Sequence, residues 1–278
     1  MFDRIEKIDN SLIQHGPNND RIYVLKLAEE DCPTLIEKIH DLSILKRYTK
    51  IVAKVPDRLL SLFLQKQFKV EATIPGFFKT GETAHFVSLF LGASRSYISA
   101  AQKQSINDIL VLAKSKLAKN GSAQIKLNCR KLVSADVQTL VNLYRETFNV
   151  YPFPIFDTTY IENTMDKHID YFGVFKNEQL IAAASAEKDL ENHTAEMTDF
   201  ATLPDYRGNN LSYHLLTEME KEMMNQKIEK WFTIARAESI GMNVTFAKAR
   251  YQFGGTLINN TLIGAGIESM NVWYKHIS

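Results

Sequence analysis

The hydrophobic period of this chain changes at residue 204. Residues 195–203 alternate as a strand does, whereas Leu211, Leu215, Leu216, Met219 and Met223 fall on one stripe of a helix. Only the polar turn Pro204-Asp205-Tyr206-Arg207-Gly208-Asn209 separates them. A strand and an amphipathic helix joined this tightly pack on one another, so the region folds as layered α/β structure. The segments that follow extend the pattern. Residues 231–237 read as a buried strand, 242–250 as a helix, and 251–259 and 268–276 as strands.

The N-terminal half carries the same series. Residues 21–27, 49–55, 68–74 and 83–90 read as strands, with helices at 32–45 and 57–67 between them. Lys66-Gln67-Phe68 stands where the later half has Ala249-Arg250-Tyr251. Self-similarity of this kind points to duplication of one α/β unit. The N-terminal copy has Glu29, Glu30 and Asp31 where the later half has its Arg-Gly turn, and three acids there would repel a phosphate. Residues 94–117 read as a connecting helix, and 134–148 and 158–168 as helices flanking the loop Tyr151-Pro152-Phe153-Pro154-Ile155. A hairpin is expected around Lys176-Asn177-Glu178. At 278 residues two domains are expected, 1–122 and 123–278, each α/β with a mixed sheet.

Composition excludes several classes of function. Lys and Arg number 33 against 32 Asp and Glu, so there is no basic surplus for nucleic acid. No apolar run is long enough for a membrane helix, and the start lacks a signal core. Cys32 and Cys129 form neither a disulfide framework nor a zinc pattern, which fits a cytoplasmic protein. The seven His show no paired metal-ligand spacing, so no metal site is expected.

The turn at 204–210 carries the chemistry. Unpaired N–H groups at a helix start, with the positive end of the helix dipole and an adjacent Arg207-Gly208, form a site for a diphosphate. Here the sequence resembles the GNAT superfamily of acetyl-CoA-dependent N-acetyltransferases. Arg207 occupies the first position of their loop pattern, and Asn210 and Ser212 the two small-residue positions. The resemblance is closer to the beta-lysine N-acetyltransferases. It spans nearly the whole chain, through Ile13-Gln14-His15-Gly16, Ala53-Lys54-Val55-Pro56, Gly254-Gly255-Thr256-Leu257 and Glu268-Ser269-Met270-Asn271-Val272-Trp273-Tyr274 among others.

The resemblance implies a C-terminal GNAT fold with an N-terminal, degenerate GNAT-like half. It also implies acetyl transfer from acetyl-CoA to the epsilon-amine of beta-lysine, giving a compatible solute. Arg207, Gly208, Asn209, Asn210, Leu211 and Ser212 would hold the diphosphate. The N–H groups of Phe200, Ala201 and Thr202 would meet the pantetheine arm and the thioester oxygen. Glu196 is the expected base and Asp199 an anchor for a substrate amine, both made accessible by the strand bulge common in this superfamily. The acid for the departing thiolate falls on Tyr251 in one register, while another puts Phe246 there. Tyr151, Phe153, Asn271 and Trp273 are the expected substrate wall. Acetylation of another small amine, such as a polyamine or amino acid, and non-catalytic acyl-CoA sensing are the rival readings.

Overall fold

The computed structural model describes residues 3–116, 127–264 and 266–277. The expected boundary near residue 122 lies outside the described residues, as does Leu117. The chain forms two compact units. One comprises the chain up to Gln104 together with Gly254–Val272; the other runs from Ser105 to Phe253 and resumes at Trp273.

In the first unit, β1 (Arg4–Ile8) and β2 (Ser11–Gly16) form a hairpin ahead of the series expected from sequence. Then follow β3 (Arg21–Lys26), α1 (Thr34–Lys46), β4 (Lys50–Pro56), α2 (Asp57–Gln65), β5 (Lys69–Ile74) and β6 (Ala84–Phe90). β3 lies parallel to β4, and β6 lies antiparallel between β4 and β5. Ile22, Val24, Ile36, Ile39, Ile51, Phe63 and Val87 form the core. Helix α1 stops because Arg47 turns left-handed, its N–H and that of Tyr48 taking the carbonyls of Ile44 and Ser43.

A helix α3 (Ala100–Ser115) leads to the second unit. There β7 (Asn128–Lys131), α4 (Val137–Thr147), α5 (Thr158–Lys167), β8 (Ile169–Lys176), β9 (Gln179–Asp189), β10 (Thr194–Thr202), α6 (Leu211–Asn225), β11 (Lys230–Arg236) and α7 (Ile240–Lys248) follow in order. β7, β8, β9 and β10 are antiparallel neighbours, and β10 lies parallel to β11. Ala182, Ala183, Ala184 and Ala186 of β9 are fully buried, so the central strand reads as one apolar run with side chains short enough for helices to approach. Leu211, Leu215, Leu216, Met219 and Met223, the stripe seen in the sequence, are the buried face of α6.

The chain closes with β12 (Gln252–Ile263) and β13 (Gly266–His276). Within the first unit these two are joined by Thr256 to Asn271 and Asn259 to Ser269 bonds. In the second, the end of β13 runs beside β11, where the Ile277 N–H donates to the Glu229 carbonyl. β13 therefore neighbours β11 and β12 as β6 neighbours β4 and β5. The two halves share one strand, helix, strand, helix, strand, strand topology.

Residues 254–272 are fastened into the first unit by close backbone contact and by buried cations. A Cβ on Gly255, at φ +144°, would stand 2.2 Å from the Glu71 carbonyl oxygen, so only glycine fits where β12 meets β5. Lys50, fully buried, donates to Glu71 (2.7 Å) and to the Ile258 carbonyl (2.8 Å), while Glu71 accepts the Ile258 N–H (2.6 Å). Arg21 and Arg95 both donate to the Asn260 carbonyl. Burial pulls Lys50 down to about 8 and both arginines to about 10. Removing one partner strands a buried charge. Glu71→Ala is expected to cost about 3–5 kcal/mol in urea unfolding; a loss below about 1 kcal/mol, the ordinary value for an exposed pair, would show that the pin carries no such charge.

Candidate active site

Strand β10 leaves its neighbour partway along. Thr194, Ala195 and Glu196 pair with Lys230, Trp231 and Phe232 of β11, and the pairing ends there. On the other edge the register with β9 slips by one residue between Thr198 and Ala201, which face Ser185 and Ala183. The extra residue is a β-bulge, and it places Asp199 in the left-handed region at φ +54°. The edge of β10 beyond Glu196 is free of β11, and across the bulge Asp199 keeps the buried side of Ala195, Met197 and Ala201.

Beyond the bulge, Thr202 leads to the turn. The N–H of Tyr206 donates to the Leu203 carbonyl and that of Arg207 to the Pro204 carbonyl. Gly208 takes φ +81° and borders open space, since a Cβ added there would meet nothing within 4 Å. Asn210 takes φ +56°. Two left-handed residues this close together turn the neighbouring N–H groups outward. The first main-chain donor inside the helix is His214, to Asn210. The N–H groups of Gly208, Asn209, Asn210, Leu211 and Ser212 thus meet no main-chain acceptor among the described residues, and residues 207–210 are exposed. Arg207 is tied by its Nε to the Thr202 carbonyl (3.2 Å), leaving the other guanidinium nitrogens outward, and the Asn209 amide braces the Tyr206 carbonyl (3.0 Å). Two lysines not singled out from the sequence flank the turn. Lys176 lies over the Tyr206 ring and Lys248 over that of Tyr213. The donor set is a cationic cradle of amides, as a diphosphate requires.

Tyr151, Asp199 and Glu196 come together. The Tyr151 hydroxyl donates to Asp199, as does Ser185 Oγ (2.5 Å), and the Glu196 charge bears on Tyr151. Burial raises the Asp199 carboxyl above the usual carboxylate range, against the bonds from Ser185, Tyr151 and Thr198. Glu196 is half-buried and is the last β10 residue paired with β11, so it stands at the fork of the two strands. Tyr151 is held by the stacked series Tyr144, Phe148, Tyr151, with ring separations of 5.9 and 4.9 Å. Phe153 packs beside it, and its carbonyl accepts the Ile155 N–H (2.8 Å). Phe200 meets Phe246 edge-on at 5.6 Å.

Three expected site residues go elsewhere. Trp273 is fully buried, its indole donating to Asn243 (2.9 Å); Asn243 in turn donates to the Arg236, Ala237 and Ser239 carbonyls. It is a core anchor, which corrects its reading as substrate wall. Asn271 is also fully buried and accepts from Thr256, so its place in that wall is corrected on the same ground. Tyr251 is buried behind Phe246, with ring centroids 5.1 Å apart, beside Glu220 of α6 and under Lys275. Phe246 thus stands between Tyr251 and Phe200, and the Tyr251 hydroxyl is buried on the α6 side, near Glu220, without a hydrogen-bond partner among the described residues.

The raised Asp199 sets a stability test. Burial penalises the charged form of Asp199, and this cost falls away as acid protonates it through its raised range. Asp199→Asn removes the cost, so the variant is expected to be more stable than wild type by roughly 0.5–2 kcal/mol at pH 7, with the gap closing on acidification. Thermal unfolding across pH measures it; a variant less stable at pH 7 would mean that Asp199 supports the fold.

Comparison with known proteins agrees with this geometry. Residues 137–242 match the family described as Acetyltransferase (GNAT) family. The chain is 37% identical over 276 residues, 99% of both chains, to a Beta-lysine N(6)-acetyltransferase of Methanococcus maripaludis. It is 33% identical over 96% of both chains to the N-acetyltransferase YodP of Bacillus subtilis. It is also 38% identical to a Beta-lysine N(6)-acetyltransferase of Methanosarcina mazei, over 52% of this chain and 54% of that one. With the strand fork, the bulge and the amide cradle all in the matched segment, the chain belongs to the GNAT acetyltransferase family, within the group of the beta-lysine N(6)-acetyltransferases.

Proposed function

We propose that this chain transfers the acetyl group of acetyl-CoA to the epsilon-amine of beta-lysine, in the cytoplasm, giving N-epsilon-acetyl-beta-lysine as a compatible solute. The observation that carries the substrate is the similarity over 99% of both chains to a protein of that name. The geometry supports the chemistry independently. The exposed N–H groups of residues 208–212, with the outer guanidinium nitrogens of Arg207 and the flanking Lys176 and Lys248, suit the coenzyme diphosphate. The β10 edge freed at the fork offers main-chain donors at Phe200, Ala201 and Thr202 to the pantetheine amides and the thioester oxygen.

A lysine-type amine has a pKa of ~10.4, so its neutral form costs about 4.6 kcal/mol at pH 7. Glu196 is the proton acceptor in this reading, directly or through one water, because it is half-exposed and stands where the strands part. Attack then occurs within one ternary complex. A thiolate leaves without a dedicated acid, consistent with Tyr251 facing α6. Tyr151, Phe153 and Asp199 line the acceptor side.

Coenzyme release by purified protein, measured with acetyl-CoA and a panel of amines, tests the reading. Turnover with beta-lysine is expected; tight acetyl-CoA binding with no turnover on any amine would favour an acyl-CoA sensor, and turnover confined to polyamines would reassign the substrate. Arg207→Glu should raise the acetyl-CoA KM at least about tenfold, because it puts a negative charge in an anion cradle; an unchanged KM would remove the turn from coenzyme binding. Glu196→Gln should lower kcat about 100-fold at neutral pH and recover towards wild type as the amine loses its own proton at high pH. A ratio that stays flat with pH would remove Glu196 from proton transfer.

A further inference from the structure

Asp199 is buried and surrounded by hydroxyls, and no basic side chain pairs with it among the described residues. Its bonded neighbours are Tyr151 and Ser185, with Thr198 beside them. Beyond these stand three more tyrosines. Burial first, and the Asp199 charge second, push the phenols of Tyr144, Tyr151, Tyr160 and Tyr171 above the ordinary tyrosine range, so all four are neutral rings whose hydroxyls lie within reach of the carboxylate's field. Tyr171 is fixed through Thr164 (2.9 Å). The Tyr144 hydroxyl is fully buried with no hydrogen-bond partner. A buried carboxylate without a counter-ion among the described residues, with four tyrosines near it and one of their hydroxyls unused, lacks one component, which is a cation.

We propose that Asp199, with Tyr144, Tyr151, Tyr160 and Tyr171, is a receptor for the substrate's second ammonium group, the one that is not acetylated, and that it selects diamino acids over monoamines. This rests on the acetyltransferase reading above. The assignment to the spectator amine follows from access. Any carboxylate partner favours the protonated form of an amine, but only half-exposed Glu196 can pass the proton on to solvent, so an amine held on buried Asp199 keeps its own. The attacking amine belongs at half-exposed Glu196, nearer the fork. Asp199 lies three residues further along β10, about 10 Å at strand rise, with its side chain on the buried side of the strand. The two carboxylates thus divide the work, one accepting a proton and the other keeping one in place.

The discriminating substrate is 6-aminohexanoate, which is beta-lysine without its second amine. Wild type is expected to prefer beta-lysine by at least about 100-fold in kcat/KM, since a site built for a polar group rejects an analogue lacking it. In Asp199→Asn this preference should fall below about tenfold, through a raised KM for beta-lysine with a smaller change in kcat. Tyr144→Phe, which keeps the ring, should narrow it by a few fold. Calorimetric titration of both compounds into wild type and Asp199→Asn, with CoA present, reads binding without turnover. A loss of beta-lysine affinity in Asp199→Asn with 6-aminohexanoate affinity kept supports the receptor. Equal losses for both compounds, or an unchanged beta-lysine affinity, overturn it. Failure of wild type to acetylate beta-lysine while this binding difference persists would overturn the proposed reaction and leave the receptor standing.

Discussion

One added residue in β10 governs the second unit. Because residues 198–201 span a segment that β9 crosses in one residue fewer, β10 cannot stay in register with both neighbours. It keeps β9 and gives up β11 after Glu196. That concession frees a strand edge and gives Asp199 a left-handed backbone beside it. A left-handed backbone is tolerated by Asp better than by most residues, though glycine would take it without strain. The carboxylate is therefore retained there against the backbone's preference, which fits a side chain kept for what it binds.

The first unit shows that topology alone does not make such a site. β3 and β4 are parallel as β10 and β11 are, and β3 also slips by one residue against β2, between Val24 and Lys26, so the bulge is common to both units. The turn after β3 is what differs. Asp31 is buried and accepts from the Ser11 N–H and hydroxyl and from the Asn10 side chain, and these bonds lower its pKa. Where the second unit leaves amides outward for an anion, the first has an acid that is turned to the β1–β2 hairpin. A shared fold thus hosts a binding turn in one copy and an acidic turn in the other.

Much of this was legible in the sequence. The two series of strands and helices are periodicity signals, and the structure has both, with α1 beginning two residues later than read and α2 ending two residues earlier. The amide turn was legible from the period change and from Arg207-Gly208. β1 and β7 escaped because they are short, charged and partly exposed, so they do not alternate, and β2 because it is buried at nearly every position. Membership of residues 254–272 in the first unit depends on pairing across almost two hundred positions, Ile258 with Glu71, which local pattern does not encode. Trp273 and Asn271 misled because an aromatic and an amide near the chain end look the same whether they face a ligand or Asn243 and Thr256. The tyrosines around Asp199 come from α4, α5, β8 and the 151 loop, and only folding shows that they converge.

The buried charges of the two units differ in a way that bears on function. Lys50, Arg21 and Arg95 each have a main-chain carbonyl of the same chain as acceptor, and Lys50 also has Glu71. Main-chain acceptors do not leave, so these cations are part of the fold and their removal is a stability event. Asp199 has only hydroxyl donors, and hydroxyls lower a carboxylate's burial cost without cancelling its charge. A fold that neutralises its buried cations in one unit, yet leaves a carboxylate uncompensated beside the strand fork in the other, keeps that deficit because a ligand removes it. An ammonium pairs with a carboxylate and rests against aromatic rings at once.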